Sequence, residues 1–496
     1  MYKKLRIIWE YILLVIILTL GSCSKSAFDI NSPNPNLPSD VPPNFVLSAA
    51  LTSSANLMLG GDANFANFWM GYWAPYGEQS PSVLSYNLTS DSYSANWDST
   101  YVTLENYKFI IDHTGNPEGA YYNAMARIME VFHYQRLVDQ YNNVPYHEAL
   151  QGTNSFPTYD KAEDIYKDLI VQLDTAIIVI NHADLSLVDD PGPYDVMFQA
   201  DMNKWIKFDH TLKLKILMRQ TEMAGGPAYI QSNLTGLTLT DFFTVGEDVT
   251  INPQYSNSNT LQQSPLWRNV GYNTDGSPTI GYFSNRANSY VVNFYLNNND
   301  LRVKQYYDTN AYGIYQGRAF GSSDVGQGNS NISGFGGGIL VSPTQNAYII
   351  PAFESLFIES EAVQRGYLVG DAETLYKLAV TESFRSLGVP DFQTEAQTYY
   401  SQANPNVNFA ASSNKINTII TQKWAAMNTY DPFESYADWR RLGIPADLPV
   451  SVYPGTTALH IPIRLLYPSS EYHYNATNVN AQGDINQFTS KIFWMP

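Results

Sequence analysis

Apolar residues recur at spacings of three and four over several long stretches of the chain. Between residues 120 and 141, Ala124, Ile128, Val131, Phe132, Leu137 and Val138 form such a stripe. That period predicts an α-helix. Residues 162–180 repeat it with Ile165, Leu169, Leu173, Ala176, Ile177 and Ile180, and Asp160 or Thr158 stands where an N-cap would fall. Residues 203–226 read as another helix stopped by the Gly225–Gly226 pair. Residues 351–388 read as two helices joined by RGYLVGD, and INTIITQKWAAMNTY carries one more. A further helical pattern, VLSAALTSSANLML, starts near Phe45. The prediction is a mostly α protein with little β.

The 352–388 pair is about as long as one tetratricopeptide-like unit, roughly 34 residues. Helix pairs of this kind stack because one pair alone cannot cover its own apolar face. No clean repeat runs along the sequence, because long irregular segments separate the pairs. The longest covers residues 244–345. Nine glycines fall in residues 313–338, and aromatic residues from Tyr282 to Tyr315 crowd the stretch before them. Loops of this length are commonly functional. Tyr, Asn and Gly suit adaptable contact surfaces as well as inert loops that turn their rings inward.

The N-terminus follows a different pattern. Lys3, Lys4 and Arg6 precede a short apolar run, Tyr11 to Leu18, and then LGSC. The run is too short to span a bilayer, which takes about 20 residues. Basic start, short apolar core and small residues before a cleavage point describe a signal peptide over residues 1–22. Cys23 is the single cysteine of 496 residues. It stands where a lipoprotein signal places its acylated cysteine, whose thiol is the nucleophile. One cysteine forms no internal disulfide. Residues 23–44 are rich in Pro, Asn and Ser and read as an extended tether. Residues 45–496 then form the folded domain.

Composition narrows the partners. The net charge is −18, and no Lys/Arg run occurs. A nucleic-acid binder needs a basic face to displace counterions, so that class is excluded. Aromatics make up 14% of the chain and charged residues only 15%, which favours neutral ligands over ionic ones.

No zinc, P-loop, Gly-x-Ser-x-Gly or dinucleotide signature is present. His133, His147, His210, His460 and His473 are scattered and suggest no metal site. No cofactor is expected. Arg440 and Arg441 close a predicted helix before Gly443 and Pro445. Arg464 is expected to pair with Glu471 near Asn475, an architectural role.

The best ligand-contact candidates lie in NFANFWMGYWAPYGEQ. Trp69, Trp73 and Tyr76 are four and three residues apart, so one helix would put them on one face. That face is either a core stripe or a platform on which flat rings cover the C–H faces of sugars or peptide side chains. Trp97 and Trp267 are weaker candidates for the same surface.

The chain resembles the SusD/RagB family of Bacteroidetes nutrient-binding lipoproteins. The likeness is carried by LGSC, NFANFWMGYWAPYG, TLKLKILMR, AFESLFIESEAVQRGYL and the series QKWAAM, YADWRRLGIP, IPIRLLYPSSEYHYN and KIFWMP. It implies a helical scaffold of four tetratricopeptide-like pairs. It also implies an outer-membrane, surface-facing lid over a SusC-like TonB-dependent barrel. In one respect the chain departs from that pattern. Ser24, Lys25 and Ser26 follow Cys23, and the first acid is Asp29, whereas surface export favours early acidic residues. Two functions follow. One is a non-catalytic, lipid-anchored receptor that captures an oligosaccharide or oligopeptide and passes it to the barrel. The other is a lipoprotein hydrolase acting on the same polymers.

Overall fold

The apolar stripes do form helices. The computed structural model describes residues 41–59, 64–76, 81–322 and 329–496. The expected signal peptide, Cys23 and the expected tether as far as residue 40 lie outside the described residues. In the N-terminal half the helices used here are α1 (Pro43–Leu59), α2 (Phe65–Trp69), α3 (Ala95–His113), α4 (Ala120–Tyr141), α5 (Ala162–Asn181) and α6 (Met202–Met218). Then come α7 (Pro265–Val270), α8 (Ile280–Ser284) and α9 (Ser289–Asn297). The C-terminal half holds α10 (Ala352–Gln364), α11 (Ala372–Ser386), α12 (Phe392–Tyr400), α13 (Lys415–Met427) and α14 (Pro432–Leu442).

Long helices pack on their sequence neighbours: α3 on α4, α4 on α5, α5 on α6, α10 on α11, and α13 on α14. α10 also meets α6 and α13, joining the two halves into one compact unit from Pro43 onward. Side-chain caps fix several starts. Asp201 accepts from the amides of Asn203 and Lys204 to begin α6, and Asp431 accepts from Phe433 N–H to begin α14. α14 stops at Gly443, whose φ is 68°.

Three boundaries differ from expectation. α6 ends at Met218, and Gly226 instead begins the next helix, Gly226–Asn233. Asp160 does not cap α5. Its carboxylate accepts from the amides of Tyr146 and His147, leaving Lys161 at the N-cap without a side-chain bond. Residues 244–345 are not structureless. They hold α7, α8, α9 and the strands β2 (Val249–Ile251) and β3 (Asn285–Ala287). Strand β3 pairs antiparallel with β1 (Trp73–Pro75), and β2 pairs with β4 (Ala347–Ile350). Among the described residues these two-stranded sheets are all the named β-structure.

The inserted segment is fastened by its tyrosines. The buried Tyr295, Tyr306 and Tyr307 hydroxyls donate to the carbonyls of Ala425, Ala426 and Tyr72 at 2.8, 2.6 and 2.7 Å. Each ring therefore buries apolar area and satisfies a carbonyl at once.

The helix core also buries charge. Lys215 lies 3.1 Å from Glu354 and 2.9 Å from Glu434. Arg219 meets Glu434 and Asp139. Arg441 holds Glu361 at 2.6 and 2.7 Å and Asp438 at 2.8 Å. These groups tie α6, α10 and α14 together. The expected Arg464–Glu471 pair does not form. Arg464 donates to the carbonyls of Tyr141 and Leu465, while Glu471 accepts from Tyr159 and Asn475. Both residues still serve the architecture: Arg464 ties the C-terminal segment to the end of α4, and Glu471, in the short helix Ser469–Tyr474, ties it to Tyr159.

Candidate functional site

Trp69, Trp73 and Tyr76 do not share a helix face. α2 ends at Trp69, and Gly71 has φ +71°, a left-handed turn with Tyr290 against it. The chain leaves that turn as β1. Trp69 and Trp73 are each 1% exposed, and Trp97 is 3% exposed. Trp69 packs against Phe65, Tyr86, Tyr93 and Tyr436. Trp73 donates from Nε1 to Thr429 at 3.0 Å. Trp97 sits among Tyr101, Tyr141, Tyr159 and Tyr467. These three rings belong to the core, and their placement corrects the expectation of a shared stacking platform.

Tyr76 and Trp267 stay partly exposed, and the fold brings them into one neighbourhood. β1 pairs with β3 in the register Trp73↔Ala287 and Pro75↔Asn285. Beyond the strand, Tyr76 N–H donates to Ser284 O at 2.7 Å, so Tyr76 abuts the end of α8. α8 in turn lies directly on the end of α7. A Cβ on Gly281 would fall 1.9 Å from Asn269 O, so only glycine permits this approach. Between α7 and α8 the chain makes a tight turn. Asn273 N–H donates to Ser277 O, Asp275 accepts from Ser277 N–H and Oγ, and Tyr272 bridges Pro278.

That turn sets the rings in a row. Trp267 and Tyr272 centroids are 5.5 Å apart, Tyr272 and Tyr282 5.1 Å, and Tyr282 and Phe283 5.8 Å. Trp267, Tyr272 and Tyr282 are half-buried, whereas Phe283 is 49% exposed. Four adjoining aromatic side chains thus reach solvent on one stretch of surface.

Arg286 stands behind the row. Its guanidinium carbon is 5.0 Å from the Tyr282 centroid. It donates to the carbonyls of Tyr282 and Asn285 and to Asn329 Oδ1. Burial lowers its pKa, opposed by the neighbouring Tyr282, Tyr76 and Tyr272 hydroxyls. Tyr272 is pushed up to about 12, first by its hydrogen bond with Tyr282 and then by burial. Tyr272 is therefore a neutral hydroxyl donor and acceptor at physiological pH. Arg318, 5.2 Å from the Tyr76 centroid, covers that ring.

The arrangement offers flat apolar faces, tyrosine hydroxyls and a guanidinium held by carbonyls and rings. It suits stacking with hydrogen bonding to an uncharged ligand. Among the described residues, no group of three His, Cys, Asp or Glu side chains could hold a metal ion. Nor is any helix among them long and apolar enough to cross a membrane.

Sequence reasoning reached Trp267 and Tyr76 but missed Tyr272 and Arg286. The signal for Tyr272 was present. NTDGS between Tyr272 and Pro278 is turn chemistry, and a turn there folds Tyr272 back toward residues 280–283. Arg286 carried no local signal, because its role depends on the β1–β3 pairing.

The family model described as SusD-like, starch-binding and associating with the outer membrane, matches residues 35–468. Among solved structures, a chitin-binding protein is 24% identical, with a TM-score of 0.74, covering 90% of this chain and 99% of that one. A chitin-binding SusD homolog from Flavobacterium johnsoniae is 20% identical, with a TM-score of 0.74, covering 90% and 98%. A SusD-like protein from Bacteroides thetaiotaomicron is 23% identical, with a TM-score of 0.72, covering 89% and 95%. These likenesses are in the fold. No curated protein matches the sequence.

Proposed function

The chain belongs to the SusD-like family, described as starch-binding and associating with the outer membrane, and from that premise we propose that it captures a neutral oligosaccharide on the Trp267–Tyr272–Tyr282–Phe283 surface. The observation that carries this reading is the row of adjoining, solvent-reaching rings with Arg286 behind it. Sugar rings present C–H faces that stack on aromatics and hydroxyls that bond to tyrosine, amide and guanidinium groups. Tyr76 borders this surface beside Ser284. Trp73, on β1 opposite Ala287 of β3, supports it from the core. The chitin-binding relatives favour a glycan over an oligopeptide.

In this reading the protein is a non-catalytic subunit. It is held to the outer membrane through a lipid on Cys23, faces the cell surface, and delivers its ligand to a SusC-like TonB-dependent barrel. The competing function, a lipoprotein hydrolase, makes products. The test incubates purified protein with malto-oligosaccharides, chito-oligosaccharides and a peptide digest, following both binding and product formation. Saturable binding of one saccharide series without cleavage is the expected result. Release of shorter saccharides or peptides would establish the hydrolase instead, and binding of peptides alone would move the ligand class.

A further inference from the structure

A second polar cleft of about 600 Å³ lies between α9, α13 and the loop after α14. Such a volume is within the range of small-ligand sites, roughly 300–1,000 Å³. Its composition is unusual for an incidental groove. α9 turns Tyr290, Asn293, Phe294 and Asn297 into it, at the i, i+3, i+4, i+7 spacing of one helix face. α13 answers with Asn417, Thr421 and Trp424 at i, i+4, i+7. Asn404 and Asn406 close one end.

The amides divide into two kinds. Asn298 and Asn404 are spent on the protein, since Asn404 Nδ2 donates to Asn298 Oδ1 at 2.6 Å and Asn298 Nδ2 to Phe294 O at 2.7 Å. The side-chain amides of Asn293, Asn297, Asn406 and Asn417 bond to no partner among the described residues. Four uncommitted amides therefore border one cleft. The floor is aromatic. Trp424 is 1% exposed, with Phe294 and Tyr290 against it at 5.0 and 5.4 Å between centroids. No Lys or Arg lines the cleft. Its one charged group, Asp447, accepts from Tyr290 Oη at 2.6 Å.

Each carboxamide offers two donors and an acceptor in one plane, which matches adjacent hydroxyls on a sugar ring. The lack of a cation disfavours anions, and the amide rim disfavours apolar ligands. We propose that this cleft is a second saccharide site, built on Asn293, Asn297, Asn406 and Asn417, and distinct from the surface of Trp267 and Tyr282. The inference shares the glycan reading of the first surface but rests on other residues. Two sites on one chain would let a long glycan be gripped at two points, raising its apparent affinity over that of a short one.

The experiment is a calorimetric titration with maltohexaose and, separately, chitohexaose. The proteins are the wild type, Trp267→Ala, and the triple variant Asn293→Ala, Asn297→Ala, Asn417→Ala. Asn297→Trp, which places a ring in the cleft from an exposed position, serves as an independent block. The wild type is expected to show two sites. The triple variant and Asn297→Trp should each raise the Kd of one of them at least tenfold and keep the other, while Trp267→Ala does the reverse. If both amide variants titrate as the wild type does while Trp267→Ala loses its binding, the second site is overturned and the aromatic surface stands. If neither hexasaccharide binds the wild type, both sites fall.

Discussion

Trp73 and Trp267 have the same side chain and opposite duties. Trp73 is closed in by Phe68 and Phe335 and donates to Thr429. Replacing it by Ala opens a cavity, for which about 3–5 kcal/mol is the usual cost. Trp73→Ala should therefore lower the melting temperature strongly, and an unchanged melting curve would remove Trp73 from the core. Trp267 has no such surroundings, so its loss should act on binding instead. A third residue adds a pH effect. Glu359 is buried, and among the described residues its carboxylate accepts from Ser355 Oγ alone. Burial pushes its carboxyl up to about 8. The folded state thus holds this proton more tightly than the unfolded chain, whose Glu titrates near 4.3. The resulting stabilisation is full below that lower value and is lost as pH rises through about 8. Glu359→Gln should accordingly lose less melting temperature than the wild type between pH 5 and pH 8.5. Parallel curves for the two proteins would show that Glu359 is not held protonated. The sequence displayed every one of these residues but not their surroundings. Trp69 and Trp73 were four apart, yet Gly71 turned the chain between them and sent one ring into a helix end and the other into a strand.

The helices were legible because their apolar period is written in the sequence. α4 runs over Ala120–Tyr141, the stretch where the period occurs, and the two helices α10 and α11 meet around RGYLVGD. The same period does not say where charge goes. α10 buries Glu354, Glu359 and Glu361 as well as its apolar residues, because α6, α13 and α14 bring cations to two of them. α7, α8 and α9 were missed for a related reason. They are five to nine residues long, too short for a period to register, and tertiary contacts hold them in place. Charges paired inside the core make the elements interdependent. Arg302 is wholly buried, forms an ion pair with Asp300 at 2.6 Å, and also reaches Ser383 on α11 and Gln422 on α13. Removing one partner of such a pair typically costs about 3–5 kcal/mol, because the other charge is left buried. Arg302→Met should destabilise by that order, and denaturant unfolding of the variant checks it. Asp438 adds an acid limit. Burial raises its pKa, but Lys423 and Arg441 outweigh that and hold it down to about 2. Its contribution is present above the ordinary Asp value and is lost as pH falls through about 2, so Lys423→Met should shift acid unfolding to higher pH.

At the scale of the molecule, a helical scaffold carries an insertion whose half-exposed rings face solvent. The family description places such chains at the outer membrane with a glycan ligand. The lipid-anchor reading of Cys23 predicts that Cys23→Ala leaves the protein unprocessed or released from membranes, and detergent-phase partitioning of the variant reports which. Retention as a processed, detergent-partitioning protein would contradict the anchor. The fold class was readable from helix periods and whole-chain resemblance. The proposed ligand surface was readable at Trp267 and Tyr76 and in outline at the aromatic crowd starting with Tyr282, but not as a row, since the row forms through a strand pair and a close glycine contact that join distant segments. The central claim is that this row holds the glycan. Its most direct test is the double variant Trp267→Ala, Tyr282→Ala, titrated calorimetrically with the saccharide the wild type binds and melted in parallel. Loss of affinity at the aromatic site by tenfold or more, about 1.4 kcal/mol, with a melting temperature close to that of the wild type, is the predicted result. Unchanged affinity in a protein that melts like the wild type would contradict the account.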